Sequence, residues 1–315
     1  MGPYCRVVAQ LVVTSGVRRG ASGPVFHGCG IWSQYNPGGG IYNLYQQAVT
    51  FALGFSVKRL PALIMGRPIS QGNWVERLKA DVTPAHADKL LYACCLCSGL
   101  VDSTLYNAYN TFVSMQTGNT IFVGLGASNQ NSRPYGWARS LTSIGCFVLG
   151  CFLFARLNSA LGPRQRGTLL LTFFLQTAML IITAVLVQSG TIPGIQGLAG
   201  DSTETEWSQE APIVLLSVQS AGQIVASRAL GYNEVPTVVI TSLLCDLVSD
   251  PKLFFLRNAK RDRRVVAFIL TLVGAIAGGW ITKATGDIYA VMWLAAGIKF
   301  VISMAWMFWE EDDKM

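Results

Sequence analysis

The chain has 315 residues, of which 51% are hydrophobic and only 13% are charged, with a formal net charge of +7. Soluble domains carry about 25% charged residues, so this composition argues against a soluble protein and indicates one embedded in lipid. The basic residues lie in short clusters between apolar blocks, which is typical of cytoplasmic loops rather than of a nucleic-acid-binding face. We therefore predict the lipid bilayer as a partner and no nucleic acid.

The N-terminal part of the chain has a different composition. Residues 1–73 contain no Asp or Glu, but they do contain scattered basic residues and a glycine cluster at 38–40. We predict a disordered extension or an incorrectly extended start of the gene model, with a targeting segment as the alternative. Charges around Trp74 and Leu78 predict a short amphipathic surface helix within 74–88 that ends before Pro84 and leads into the membrane.

Apolar runs near 20 residues predict the membrane spans, because this length crosses about 30 Å of hydrocarbon. Two shorter runs, 112–128 and 235–249, are broken by Gly118 or begin at Pro236, and we predict that they are re-entrant or broken helices. The fold class is thus an all-α integral membrane protein with six transmembrane helices and two short elements in residues 89–309, followed by an acidic tail at 310–315. The six predicted spans are 89–109, 138–157, 167–189, 211–230, 265–283 and 287–309.

The charged loops predict how the spans are oriented. The loop with Arg156, Arg164 and Arg166 and the loop from Lys252 to Arg264 are the richest in Lys and Arg, so both should be cytoplasmic. The loop at 190–210 has four acidic residues and no base, which places it on the opposite side. Six crossings with both termini in the cytoplasm place all three loops on the expected sides, whereas eight crossings would place the loop with Arg156, Arg164 and Arg166 outside. The plasma membrane is the default location.

The order of elements predicts an internal repeat. Each half reads long helix, short element, helix, helix, and three crossings per half would make the halves antiparallel. Inverted repeats with broken helices can form a solute site at the membrane midplane. At the residue level, 115–118 aligns with 239–242, and 102–103 aligns less securely with 219–220.

Several motifs resemble one known family. The runs SGLVDS at 98–103, FVSMQTGNT at 112–120 and LGPRQRG at 161–167 occur in order with QSAGQIVASRALG at 219–231 and TSLLCDLVSDPKL at 241–253. The chain from about Asp88 to Trp309 thereby resembles the YoaK-type membrane proteins, a family with a domain of unknown function. The resemblance implies a polytopic membrane protein of about six helices and brings no established reaction or substrate.

Polar groups inside the predicted spans are the candidate functional residues, because such groups are costly in the bilayer core. Asp102 could carry a proton or cation, or could be a structural carboxylate. Gly118 is expected to bend its element, while the neighbouring amides and hydroxyls either line a cavity or satisfy one another at the break. Helix packing is the alternative for the two glutamines of the fourth span. The candidate solute or ion site comprises Asp102, Gln116, Thr117, Gly118, Asn119, Gln219, Gln223, Thr241 and Ser242.

Three charged residues are candidate charge partners. Lys299 lies deep in the last span, and we predict that it neutralises a buried acid. Arg228 either marks the membrane interface or pairs with Asp102. Asp246 is expected to cap a helix or form an ion pair near the cytoplasmic face.

A basic cluster and a glycine pattern suggest further contacts. Gly274 and Gly278 have GxxxG spacing, which predicts close helix packing inside the protomer or between protomers of a homo-oligomer. The basic cluster either binds anionic lipid headgroups or only sets topology. It consists of Arg257, Lys260, Arg261, Arg263 and Arg264.

Enzyme motifs are missing from the sequence, which has no HExxH, phosphate loop or GxSxG. Six of the eight cysteines lie in or beside apolar blocks without zinc-site spacing, so we interpret them as small apolar side chains. We predict no enzymatic activity, no metal and no cofactor. The favoured function is a secondary transporter or permease of a small polar or ionic solute, with a non-transporting scaffold or receptor-like protein as the alternative and a channel as the third option.

Overall fold

The computed structural model describes residues 74–130, 135–194 and 207–312, all within one compact unit. The predicted extension at 1–73 and most of the acidic residues of the 190–210 loop lie outside these residues. A short 3₁₀ helix, Trp207–Gln209, precedes the sixth α-helix. The α-helices of the described residues are α1 (Trp74–Lys79), α2 (Asp88–Tyr109), α3 (Gln116–Ala127), α4 (Gly136–Leu161), α5 (Arg166–Gln188), α6 (Glu210–Ala229), α7 (Ile240–Val248), α8 (Ala259–Thr285) and α9 (Tyr289–Met307).

The all-α fold class is confirmed, and each predicted apolar run contains one helix. Four helices, α4, α5, α8 and α9, are long and apolar enough to cross a membrane. The helices α2 and α6 have 22 and 20 residues but are more polar. The number of bilayer crossings therefore remains a prediction.

The two polar helices occupy the interior of the bundle. Helix α2 packs against α8 and α9, while α6 packs against α4 and α5, and α5 and α9 pack against each other. The short helix α3 lies on α4, and α7 lies on α8. Because their neighbours cover them, α2 and α6 can carry polar side chains without exposing them to lipid.

One end of the bundle gathers both Arg-rich loops. The backbone N–H of Val82, just before α2, donates to the carbonyl of Arg164 at 3.0 Å. The buried guanidinium of Arg166 donates to Glu311 at 3.0 Å, which joins the start of α5 to the segment after α9. Arg263 at the start of α8 bridges Asp88 and Glu234, at 3.2 and 2.7 Å. The starts of α2, α5 and α8 thus lie together with the ends of α6 and α9.

The opposite end joins the remaining helix termini. The Tyr109 hydroxyl at the end of α2 donates to the Pro193 carbonyl at 3.1 Å, and Arg139 in the first turn of α4 donates to the Tyr109 carbonyl at 3.4 Å. Helices α2, α5 and α8 therefore run in one direction, and α4, α6 and α9 run in the other. Each short helix lies between two long helices whose adjoining termini are at the same end of the bundle. Helix α3 connects α2 to α4 at this end, and α7 connects α6 to α8 at the Arg-rich end.

Glycines permit the close approach of α2 and α8. A Cβ atom on Gly274 would overlap the Leu96 carbonyl oxygen, and one on Gly278 would lie 2.6 Å from the Ser103 hydroxyl. The predicted GxxxG packing therefore operates inside the protomer, on α2. Because α2 covers the glycine face of α8, this face provides no support for the predicted homo-oligomer. A Cβ atom on the neighbouring Gly279 would meet nothing within 4 Å.

Candidate functional site

The chain breaks sharply between α2 and α3. Asn110 has a φ of 53°, a left-handed conformation that ends α2, and residues 110–115 form a loop before α3 begins. The predicted bend at Gly118 is wrong, because Gly118 lies inside α3. Its role is spatial, since a Cβ atom there would lie 2.9 Å from the ring of Phe112.

Asp102 holds this loop against α2. Its buried carboxylate accepts hydrogen bonds from the backbone N–H groups of Val113 and Ser114, both at 3.0 Å, and from the Ser114 hydroxyl. These three donors come from two consecutive residues of the break. The contacts are those of a structural carboxylate that replaces helical hydrogen bonds lost where the backbone unwinds.

Side chains from three further helices complete the support of the loop. The Asn119 amide donates to the Phe112 carbonyl at 2.7 Å and accepts from the Phe112 N–H at 3.1 Å. The same carbonyl accepts from the hydroxyl of Ser143 on α4, at 2.7 Å. The carbonyl of Val113 accepts from the Gln116 amide at 3.1 Å and from the Ser220 hydroxyl at 2.7 Å. These side chains provide hydrogen-bond partners for the backbone of the loop. We call Asp102, Gln116, Asn119, Ser143 and Ser220 the loop clamp.

A second polar group lies where α2, α5, α6 and α9 meet. Lys299 is completely buried, and its ammonium donates to the Gln176 side-chain oxygen at 2.8 Å and to the Gln223 side-chain oxygen. The Cys94 sulfur lies 3.7 Å from the same nitrogen, and the ring centre of Phe173 lies 5.3 Å from it. The interior therefore contains a cationic side chain surrounded by uncharged groups.

A polar side chain from each of the four helices takes part in this group. The Gln223 amide nitrogen donates to the Ser98 hydroxyl at 2.7 Å, which links α6 to α2. The amide nitrogen of Gln176 is buried and has no hydrogen-bond partner among the described residues. We call Ser98, Gln176, Gln223 and Lys299 the central cluster.

The predicted charge pairs do not form. Among the described residues, the hydrogen-bond partners of Lys299 are uncharged, so its predicted neutralisation of a buried acid is wrong. Arg228 donates to Asn233 at 2.7 Å on the exposed surface and not to Asp102. The physical reason is position: Arg228 is in the last turn of α6, at the Arg-rich end of the bundle, whereas Asp102 contacts residues 113 and 114 beyond the opposite end of α2.

Other predicted site residues lie elsewhere. Thr117, Thr241 and Ser242 are exposed, so the structure does not bring them to either polar group, and Asp246 is exposed as well. Only Leu243 of α7 is buried, which means that the polar residues of this helix face outward. Gln219 is buried on α6, one turn before Gln223.

The predicted lipid-binding cluster is divided. Arg263 is held by Asp88 and Glu234, while Arg261 and Arg264 pair with Asp262 and Asp250. The hydrogen bond from the Asn258 side chain, followed by that from the Lys252 backbone, holds the pKa of Asp250 below its ordinary value. By contrast, Arg257 and Lys260 are exposed. Next to them, the apolar side chains of Phe254 and Leu256 are 95% and 97% exposed.

Sequence reasoning missed the central cluster apart from Gln223 and Lys299. Gln176 carried a signal, since it is the one amide in the middle of the apolar α5. It lies ten residues after the first residue of its helix, Arg166, and Lys299 lies ten residues after the first residue of its own helix, Tyr289. Ser98 and Cys94 gave no signal of this kind.

Comparison with known proteins places the chain in a family. Residues 90–305 match the model of a family described as "Protein of unknown function (DUF1275)". The chain belongs to the DUF1275 family. A relative is the "UPF0700 transmembrane protein YoaK" of Bacillus subtilis (strain 168), 26% identical over 233 residues that cover 70% of this chain and 94% of the relative. No solved structure matches the chain.

The family match confirms the YoaK-type resemblance. A transmembrane relative and four helices long and apolar enough to span a bilayer identify this DUF1275 protein as an integral membrane protein. The matched residues include the loop clamp and the central cluster, so both belong to the DUF1275 region of the chain.

Proposed function

We propose that this DUF1275 protein is a secondary transporter of a small solute and that the central cluster is its binding site. The observation that carries the proposal is the buried Lys299, whose hydrogen-bond partners are uncharged, at the meeting point of four helices. A cationic side chain in a low-dielectric interior is expensive unless it is paired, and such groups inside membranes commonly mark solute or ion pathways. The proposal assigns no chemical reaction to the chain.

The predicted inverted repeat would place its interface at this position, which supports the proposal. In the predicted repeat, α2, α3, α4 and α5 of the first half correspond to α6, α7, α8 and α9 of the second half. Under this correspondence, each major contact between two helices has an equivalent contact elsewhere in the bundle. The contact of α2 with α8 is equivalent to the contact of α6 with α4, and the contact of α5 with α9 is its own equivalent. Gln176 and Lys299, which touch each other, are then equivalent residues at the centre. Transporters built from inverted repeats bind solutes at such a repeat interface.

The short helices agree with the same exchange. The aligned segments 115–118 and 239–242 each begin a helix at their second residue. The single buried residue of α3 is Asn119, and that of α7 is Leu243, which are equivalent positions in this alignment. Together with the helix directions, this supports three crossings per half and short helices that enter and leave at one face.

The Arg-rich end of the bundle supports a proposed orientation in the membrane. Because both loops richest in Lys and Arg lie at this end, the positive-inside rule favours its placement in the cytoplasm. The start of α2 and the end of α9 lie there as well. We propose the plasma membrane as the default location.

Accessibility of Cys94 tests the transporter proposal, because its sulfur lies 3.7 Å from the Lys299 ammonium. A protein that retains Cys94 as its only cysteine would be reconstituted in vesicles of known orientation and treated with a small membrane-impermeant thiol reagent. Alternating access opens a central site to each side in turn, so we expect labelling from both sides. The measurement is the labelling rate by mass spectrometry.

Cys95 provides the matched control. It is as buried as Cys94 but lies beside Thr271 on α8 rather than in the central cluster. A protein with Cys95 as its only cysteine should label at the background rate. If Cys94 is as unreactive as Cys95 from both sides, the chain is a non-transporting scaffold.

We further propose that Arg257 and Lys260, with the exposed Phe254 and Leu256, contact anionic lipid at the membrane surface. Bases near an acidic leaflet contribute about 1 kcal/mol each. Phosphatidylglycerol nanodiscs should therefore stabilise the wild-type protein relative to phosphatidylcholine nanodiscs, and the double variant R257Q/K260Q should lose most of this difference in apparent Tm. The variant K283Q, at the other end of α8, should keep it. An unchanged lipid response in the double variant would leave these bases with a topological role only.

A further inference from the structure

We infer that the solute is a small anion and that Lys299 supplies its counter-charge. This inference rests on the proposed transport function and adds the chemical class of the solute. It begins from the fact that the central cluster contains one cationic group and three uncharged polar side chains, Ser98, Gln176 and Gln223.

Hydrogen-bond donors exceed acceptors in this cluster. The ammonium of Lys299 has three protons. Two of its contacts are with the side-chain oxygens of Gln176 and Gln223, and the third is with the Cys94 sulfur, which is only a weak acceptor. The amide nitrogen of Gln176 is a further buried donor, for which the described part of the chain offers no acceptor. Buried donors without acceptors cost free energy, so the cluster is suited to a ligand that brings acceptors.

Charge selects among such ligands. A cation would be repelled by Lys299, and an uncharged solute would leave the ammonium uncompensated in the interior. The loop clamp does not supply the missing negative charge by direct contact, because the oxygens of Asp102 bind residues 113 and 114. A carboxylate or another small anion would provide both the acceptor atoms and the compensating charge.

Protection of Cys94 against alkylation tests the inference with defined probes. In the protein with Cys94 as its only cysteine, the rate of N-ethylmaleimide labelling would be measured at constant ionic strength, with sodium gluconate as the reference. The anionic probes are chloride, bicarbonate, phosphate, acetate and succinate, and the comparison solutes are choline and glucose. At a concentration ten times its Kd, a bound anion occupies about 90% of the sites and should slow labelling about tenfold.

Variants connect this protection to the cluster. We expect K299M to abolish anion protection and K299R to retain part of it, because the charge remains. The variant Q176E places a carboxylate beside the Lys299 ammonium at nearly constant side-chain volume. Because it supplies the counter-charge itself, it should abolish anion protection. The control K283M alters a lysine that lies over the Trp280 ring, at 5.3 Å from its centre, and should behave like the wild type.

The outcomes separate the two proposals. If Cys94 reacts but no anion protects it, or if only choline or glucose does, the anion inference is overturned while the transporter proposal stands. If Cys94 reacts from neither side of the membrane, the transporter proposal itself fails. Should K299M not fold, Q176E decides, because undiminished anion protection in that variant contradicts the assigned role of the cluster.

Discussion

The variant G274A is expected to lose at least about 2 kcal/mol of stability, because overpacking a tight interface costs about 1–3 kcal/mol and here the obstacle is backbone. A Cβ atom at this position would overlap the Leu96 carbonyl oxygen and lie 3.1 Å from the Leu100 nitrogen. Neither atom can move without shifting α2, which carries both Asp102 and Ser98. The measurement is the apparent Tm of the purified protein in detergent, together with the yield of monodisperse material.

Gly279 is the matched control for this prediction. It lies on the same helix, and a Cβ atom there would meet nothing within 4 Å. Alanine is a better helix former than glycine by about 1 kcal/mol, so G279A should leave the apparent Tm unchanged or raise it. Equal Tm values for G274A and G279A would contradict the close approach of α2 and α8.

The positions of the helices could be predicted from the sequence because the bilayer imposes a length. Each apolar run near 20 residues contains one long helix, with termini within a few residues of the predicted ones except at α8, where Ala259–Thr285 begins six residues earlier than the predicted 265. Two of the basic residues in this early part of the helix are held by acids from other parts of the chain: Arg263 by Asp88 and Glu234, and Arg264 by Asp250. Hydropathy alone cannot foresee such tertiary ion pairs.

The site was harder to predict because it depends on which helix faces meet. Asp102 and Lys299 are both intramembrane charges by sequence, yet they belong to separate hydrogen-bond networks. The segments 115–118 and 239–242, aligned from the sequence, contain the starts of both short helices in the structure. Thr241 and Ser242 are exposed, however, and do not form a second polar lining. Each short helix has one buried residue, Asn119 in α3 and Leu243 in α7, and the two positions correspond in this alignment. The second half therefore has an apolar side chain at the position where the first half has the amide of the loop clamp.

Gln176 illustrates a limit of another kind. A single amide in an apolar helix is compatible with helix packing, a cap or a binding site, and nothing nearby in the sequence distinguishes these. Its partner Lys299 lies 123 residues away in sequence, and their contact exists only because α5 and α9 run antiparallel. The equivalence of their positions becomes visible once the helix starts at Arg166 and Tyr289 are fixed.

The variant D102A should be among the most destabilised that this chain can carry. It would leave two buried backbone N–H groups and the Ser114 hydroxyl without their acceptor, and each unsatisfied group costs about 1–3 kcal/mol. We therefore expect a loss of at least about 3 kcal/mol, measured as apparent Tm, and faster proteolysis at the loop between α2 and α3. The effect should reach the central cluster as well, since Ser98 lies one turn before Asp102 on α2.

The variant D102N separates a structural role for this carboxylate from proton coupling. Asparagine keeps one side-chain oxygen, which can accept from both backbone N–H groups, and its amide can donate to the Ser114 hydroxyl. In a structural role, D102N should fold with a near-native Tm and leave the labelling of Cys94 unchanged. If instead D102N folds normally but abolishes pH-dependent uptake, Asp102 carries protons in addition to holding the loop. The same three hydrogen-bond donors face residue 102 in both variants. If D102N loses as much Tm as D102A, the negative charge of Asp102, rather than the geometry of its hydrogen bonds, stabilises the loop between α2 and α3.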